Sequence, residues 1–354
     1  MSRYFSNKHN TLVPYTPGEQ PKDTQYIKLN TNESPFNPSE KTVEYAHKAA
    51  KNLQLYSDPQ CTSLVKIATE KLNVKEDEII FTNGSDEVLN FAFMAYCDDE
   101  HPAIFPQISY GFYKVFAQIN NVPYKEIPLN DDFTINIDNY KNCGGTIFIA
   151  NPNAPTGIAL SIDEIEEIVE SNPDNIVVID EAYVDFGGES VVPLTKKYNN
   201  LLVTQTFSKS RSLAGARLGF GIANKEIIQD LNTIKYSTNP YNVNSMTMAA
   251  GTGALEDNDY YLDNCKKIIE NRIWTANKLK ELGFSMTESK TNFLFAMHPD
   301  FDGKSIYLSL KEKGVLVRHF DTEILSPYNR ITIGSKEEME IFINKLKEVL
   351  EELK

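Results

Sequence analysis

The stretch TFSKSRSLAGARLGF, residues 206–220, sets Ser208 beside Lys209 and places Arg217 eight positions beyond the lysine. A Ser-Lys pair alone is ordinary surface chemistry. Other polar groups stand in matching places, each just past a short apolar run. Asp180 ends NIVVID and leads into EAYVDF with Tyr183, Ser85 and Asp86 follow EIIFTNG, and NPNAPTG follows GTIFIA. Together they form a definite chemical set. An amine bonds to an aldehyde, and a buried carboxylate keeps a ring nitrogen protonated. Helix-start N–H groups, hydroxyls and a guanidinium hold a phosphate.

Such groups act together only if the chain brings several strand ends to one place. Between residues 78 and 223 the runs EIIFTNG, PAIFP, GTIFIA, NIVVID, NLLVTQTF and LGFGIA are each too short for a helix and are bounded by Gly, Pro, Asn or Asp. Several are almost continuously apolar, as strands covered on both faces are. Helix-period stretches such as SDEVLNFAFMAYC and SIDEIEEIVES lie between them, and Ser161 and Glu164 have the spacing of a capping box. The alternation predicts an α/β fold with a mainly parallel sheet flanked by helices. Ligands of such sheets sit beyond the carboxyl ends of the strands, where these polar groups stand. Pyridoxal 5′-phosphate carries the ring nitrogen, the phosphate and the aldehyde that the set requires.

Past residue 255 the pattern changes. A long helix, NDYYLDNCKKIIENRIWTANKLKELG, precedes the short strands FSMTES, NFLFAM, VLVRHF and NRITIG, with helical KSIYLSLKEKG among them. The closing segment carries Met339, Phe342, Ile343, Leu346, Val349, Leu350 and Leu353 on one helical stripe. Residues 256–354 therefore read as a smaller α+β domain after a large domain over 41–255. Residues 1–40, rich in Pro, Asn and Thr, show neither period. They read as an N-terminal arm, assigned to the small domain and without a packed element of its own.

Composition narrows the partners. A formal net charge of −14 without a local basic patch repels nucleic acid and anionic membrane surfaces. No apolar run approaches the roughly 20 residues that span a bilayer, and the start has no apolar signal core, so a cytoplasmic protein is expected. Cys61, Cys97, Cys143 and Cys265 are widely spaced and the five histidines are dispersed, which argues against a disulfide framework and a metal site.

The motifs LNTNESPFNPS, LYSDP, TNGSDE, SYGFY, NPNAPTG, VIDEAYVDF, TFSKSRSLAGARLGF, TNFLF and RITIG follow one another over almost the whole chain. In that order and spacing the sequence resembles the fold-type I pyridoxal-phosphate aminotransferases of class II, most closely the histidinol-phosphate aminotransferase family. By this resemblance Lys209 bonds to the cofactor and shuttles the substrate proton, Asp180 pairs with the ring nitrogen and Tyr183 donates to the phenolic oxygen. Helix capping after the strand remains the other role open to Asp180. The resemblance further implies a phosphate cup of Ser85, Asp86, Ser208 and Arg217, with Tyr110 stacked on the ring. The family commonly has asparagine immediately before PTG, and here that position is Ala154. Asn153 or Asn151 would then supply the amide, or Tyr183 would hold the oxygen alone.

For substrates the resemblance implies Arg330 and Arg318 as anion readers, with Tyr15 and Asn32 lining the same pocket. Tyr56 would reach the cofactor phosphate of a neighbouring subunit, making a homodimer with shared sites. The implied activity transfers an amino group between L-histidinol phosphate and 2-oxoglutarate or glutamate, as in histidine biosynthesis. Three alternatives keep much of the same core: an aromatic amino-acid aminotransferase, a phosphothreonine-type decarboxylase and a non-enzymatic cofactor-binding module.

Overall fold

The apolar runs become strands because each alternates its side chains between two buried faces. In the computed structural model, which describes residues 2–10, 12–21 and 26–354, the first strand is β1 (Ile27–Leu29). It is followed by β2 (Ile79–Thr82), β3 (Ala103–Pro106), β4 (Tyr124–Ile127), β5 (Thr146–Ala150), β6 (Val177–Asp180), β7 (Leu201–Thr206) and β8 (Gly219–Ile222). Phe148, Val178 and Leu202 pack beneath the helices 85–96, 112–120 and 225–238, against Val88, Phe93, Phe116 and Ile228. Their strand neighbours Ile147, Ile149, Val177, Ile179 and Val203 point the other way, onto Ile165 and Ile168 of the helix 162–170. Removing a ring such as Phe93, which is completely buried, would cost about 3–5 kcal/mol.

Among the described residues these strands form a seven-stranded sheet in the order β2-β8-β7-β6-β5-β3-β4. From β4 to β7 neighbouring strands run parallel, while β8 runs antiparallel to both β7 and β2. The expected capping box forms at the helix 162–170. Ser161 Oγ accepts from Glu164 N at 3.3 Å, and Glu164 Oε2 accepts from Ser161 N at 2.8 Å. Strand β4, sequence YKEI, had no counterpart among the expected strands.

A second sheet, in the order β1-β11-β12-β10-β9, combines β9 (Ser285–Met286), β10 (Phe293–Met297), β11 (Val315–His319) and β12 (Tyr328–Thr332) with β1. Its core joins Leu29, Leu294, Val315 and Val317 to Phe342, Ile343 and Leu346 of the terminal helix 336–352. The expectation that residues 1–40 lack a packed element is corrected here. Ile27–Leu29 pairs in parallel with Val315–Val317, and Leu29 is 1% exposed. A three-residue strand is too short to display a period, and its neighbour across the sheet lies nearly 300 positions away in sequence. Residues 1, 11 and 22–25 of that expected arm lie outside the described residues. No helix among the described residues is long and apolar enough to cross a membrane.

Candidate active site

The carboxyl ends of β2, β6 and β7 and the turn before β8 open into an inner cavity of about 90 Å³. Lys209, Asp180, Tyr183, Ser85, Asp86, Tyr110, Ser208 and Arg217 all line it. An outer cavity of about 630 Å³ shares Lys209, Tyr110, Ala154 and Tyr183 with the inner one and adds Tyr15, Asn32, Arg318 and Arg330. The expected site residues thus meet in one connected region, apart from Tyr56 and Asn153.

At the floor, Asp180 is 4% exposed and paired in register with Thr204 of β7. Its carboxylate accepts from Tyr113 Oη and Thr204 Oγ1 at 3.3 Å each and from Ala182 N at 3.2 Å. Burial, with the Asp86 carboxylate adding to it, pushes its pKa up to about 6. The bond from Ala182 N closes a local turn two residues on, while the helical turn at Val184–Phe186 has Tyr183 as its cap, so Asp180 does not take the capping role. A cation placed against Asp180 would restore its charge.

The helix 85–96 begins with Gly84 as its cap and no side chain bonded to its first N–H groups. Those orphan donors and the helix dipole favour an anion. Gly84 has φ +82°, and a Cβ there would lie 2.6 Å from Arg217 Nη2, so the backbone leaves this space to the guanidinium. At Gly219, on β8, a Cβ would come within 2.2 Å of Ser85 N. Arg217 holds a left-handed backbone, φ +55°, donating to Asp86 Oδ2 at 2.8 Å and to Ser208 Oγ at 3.3 Å. Asp86 also accepts from Tyr110 Oη at 2.7 Å. Amide donors, two serine hydroxyls and a guanidinium here make a donor set suited to a phosphate.

Lys209 Nζ lies 3.5 Å from the Thr31 carbonyl oxygen and 5.7 Å from the centre of the Tyr183 ring. Tyr183 Oη accepts from Asn32 Nδ2 at 2.9 Å. The amine, the acid and the donor cup therefore bound one small space.

In the outer cavity Arg330 donates from Nη2 to the Asn30 carbonyl at 3.1 Å, while its Nε is buried with no partner among the described residues. Burial holds its pKa below the usual guanidinium range. Rings of Phe293 and Phe320 lie 5.2 and 5.8 Å from its guanidinium carbon. Arg318 lines the same cavity but donates to the carbonyls of Thr16 and Pro17 at 3.3 Å each, so it fastens the arm. Tyr15, on that arm, stacks on Phe112 at 4.3 Å.

Asn153 is a correction. Its Nδ2 donates to Ile108 O and Thr156 Oγ1 and its Oδ1 accepts from Ser109 Oγ, so the amide is engaged within the polypeptide and lines neither cavity. Asn151 is engaged likewise by both backbone groups of Leu160. Ala154 lines both cavities in their place. Tyr56 is 85% exposed and stacks on Tyr241 at 4.6 Å, also outside both cavities.

The family model described as aminotransferase class I and II matches residues 24–346. This chain belongs to the class I and II aminotransferases. It is 50% identical to the histidinol-phosphate aminotransferase of Brachyspira hyodysenteriae over 99% of each chain. It is 46% identical to that of Clostridium botulinum strain Kyoto over the full length of both. These likenesses put the aminotransferase within the histidinol-phosphate aminotransferase family. The crystal structure of histidinol-phosphate aminotransferase from Sinorhizobium meliloti in complex with pyridoxal-5′-phosphate superposes with a TM-score of 0.86. At 22% identity, covering 94% of this chain and 92% of that one, it shows the shared fold.

Sequence reasoning missed Thr204 and Tyr113, the partners of Asp180 in this aminotransferase. Thr204 carries a signal only once β6 and β7 are paired in register. Tyr113 stands within the SYGFY motif, where Tyr110 had drawn the argument. The bond from Asn32 to Tyr183 joins residues 151 positions apart, and no local pattern reports it.

Proposed function

We propose that this aminotransferase depends on pyridoxal 5′-phosphate and moves an amino group between L-histidinol phosphate and 2-oxoglutarate. The observation that carries this reading is Arg330, a half-buried guanidinium whose buried Nε has no partner among the described residues, in the cavity that also holds Lys209. A cation partly withdrawn from water without a counter-ion is favoured by a ligand that supplies the opposite charge. Each substrate brings one, a phosphate or a distal carboxylate, and a guanidinium fork accepts either. The names of the relatives identify the phosphorylated partner as histidinol phosphate.

The inner cavity fits the cofactor. Ser85, Asp86, Ser208 and Arg217 would hold its phosphate, Asp180 its ring nitrogen, Tyr183 its phenolic oxygen and Lys209 its aldehyde carbon, with Tyr110 against the ring. Bound there, the cofactor withdraws electrons from the substrate Cα and makes that proton acidic. Lys209 would be the base that takes the Cα proton and the acid that later returns it. Asp180 would keep the ring nitrogen protonated, because a cation beside it offsets the desolvation that raises its own pKa. Asp86 fixes both the Tyr110 hydroxyl and Arg217, so stacking and phosphate binding share one carboxylate.

A homodimer with shared sites belongs to the same reading. Tyr56 stands beside exposed Leu53 and Leu55, which supports its reaching the phosphate cup of a second copy. We also infer that the two sheets mark a large cofactor-holding part over 41–255 and a substrate-reading part made of the arm and 256–354. The unpaired thiols Cys61, Cys97, Cys143 and Cys265 support the reducing cytoplasm as its compartment.

A panel of amine substrates tests the function. With 2-oxoglutarate as acceptor, histidinol phosphate should exceed phenylalanine in kcat/KM by about tenfold or more, the worth of one charge-assisted bond. No carbon dioxide should leave phosphothreonine. A preference for phenylalanine, or decarboxylation, would replace this reading with the corresponding alternative.

A further inference from the structure

The place nearest the expected phenolic oxygen carries an uneven set of groups. Ala154 lines both cavities and offers no donor, and the neighbouring amides of Asn151 and Asn153 are turned into the polypeptide. Tyr183 is left as the side chain able to donate there. A tyrosine hydroxyl alone rotates about its C–O bond, and its proton can point toward or away from the cavity. Here Asn32 Nδ2 donates to that oxygen at 2.9 Å. Accepting one bond restricts the directions left to the O–H, and it strengthens the hydroxyl as a donor through polarisation.

Asn32 is itself held from several sides. It is 1% exposed, in a left-handed backbone with φ +57°. Its N–H donates to Thr332 Oγ1 at 3.0 Å, the Thr332 hydroxyl donates to its Oδ1 at 3.0 Å, and its carbonyl accepts from Asn292 Nδ2 at 3.1 Å. With Oδ1 engaged by Thr332, Nδ2 faces Tyr183. Asparagine tolerates this backbone better than most residues because its short polar side chain can bond locally.

We propose that Asn32 is a positioning residue that aims the Tyr183 hydroxyl at the phenolic oxygen of the bound cofactor, making up for the donor missing at Ala154. It differs from a pocket-lining role because Asn32 acts through Tyr183. The inference rests on the reading of Tyr183 as donor to that oxygen. A hydroxyl donating to the phenolic oxygen favours its anionic form, so weakening the bond raises the pH at which the cofactor's visible absorbance changes.

The test is a pH titration of that absorbance in the cofactor-loaded protein. Tyr183→Phe should raise the midpoint by about one unit or more, the worth of a bond to a charged group. Asn32→Asp keeps the bond to Thr332 but presents an acceptor, which draws the Tyr183 proton away, so the midpoint should rise comparably. Asn32→Gly suits the left-handed backbone and should give a smaller rise. Lys209 and Arg330 also face Tyr183 and are unchanged throughout, so differences between variants report the bond. In the Tyr183→Phe background, Asn32→Gly should add no shift, and Ala154→Asn should bring the midpoint of Asn32→Gly back down. Asn32 variants that titrate like the wild type, or that shift equally with and without the Tyr183 hydroxyl, would overturn the positioning role. A wild-type protein that binds no cofactor would overturn the proposed function and this inference with it.

Discussion

Replacing Arg330 by lysine or methionine separates anion reading from every other role in the site. Arginine carries five N–H donors, and here one is bonded to the Asn30 carbonyl while the buried Nε has no partner among the described residues. Lysine keeps the charge and loses the fork. Each charge-assisted bond lost is worth about 1.5–3 kcal/mol, or roughly 10- to 150-fold. Arg330→Lys should raise KM by that factor for histidinol phosphate and for 2-oxoglutarate alike, because both enter one cavity in alternating half-reactions. Arg330→Met removes a half-buried cation that has no counter-ion in the cavity, so the ligand-free protein should melt no lower than the wild type. Inorganic phosphate is the probe for the second assay. At about 100 times its Kd it stabilises a binding protein by about 2.7 kcal/mol, and the methionine variant should lose the share owed to this cavity. Loss of affinity for only one substrate would mean separate anion sites. Unchanged KM for both, with a lower melting temperature, would make Arg330 a structural residue and refute the reasoning.

The other expectations follow from the inner cavity. Because the folded-state pKa of Asp180 is raised to about 6, its contribution to stability is greatest below about pH 4. It falls as the pH rises to 6, a loss of up to about 3 kcal/mol in the cofactor-free protein. Asp180→Asn should remove that part of the slope in denaturant titrations across pH, and cofactor binding should suppress it. Glu181, pushed up to about 7 by burial, adds a slope of the same sign at somewhat higher pH. Lys209→Ala should abolish transamination and the visible absorbance of a lysine-bound cofactor, and near-normal turnover would remove Lys209 from the mechanism. Mixing inactive Lys209→Ala and Tyr56→Phe proteins should restore activity in hybrid dimers, and no recovery after verified subunit exchange would count against a shared site.

Chemistry-bearing residues at strand ends were legible because the strands are short apolar runs with sharp borders and their polar groups come immediately after. Asp180, Lys209 and Ser85 could each be placed in this way, whereas Arg217 precedes β8 and was placed by the resemblance. Strand β4 escaped because YKEI lies at the edge of the sheet, where Lys125 is exposed, Glu126 is half-buried beside Lys114 and no apolar run forms. The run FSMTES yielded only the pair Ser285–Met286, since that edge strand has a single neighbour to bond. Asn153 looked like a ligand because it flanks Ala154, and only the path of the loop shows its amide turned toward Ile108. The links from Asn32 to Tyr183 and from Arg330 to Asn30 join distant parts of the chain, so neither periodicity nor spacing could announce them.

The pairing of Ile27–Leu29 with Val315–Val317 has a consequence for the growing chain on the ribosome. The strands of the seven-stranded sheet, from Ile79 to Ile222, have all emerged while β1 still waits for a neighbour that is translated about ninety residues after β8 ends. Leu29 stays in water until then, and so does the Asn30 carbonyl that Arg330 will engage. Synthesis therefore delivers Ser85, Asp86, Ser208 and Arg217, proposed to hold the phosphate, well before the proposed anion reader Arg330. A nascent chain stalled before β11 would lack the strand that pairs with Ile27–Leu29 and would leave Leu29 without that cover, a natural place for a chaperone to hold it.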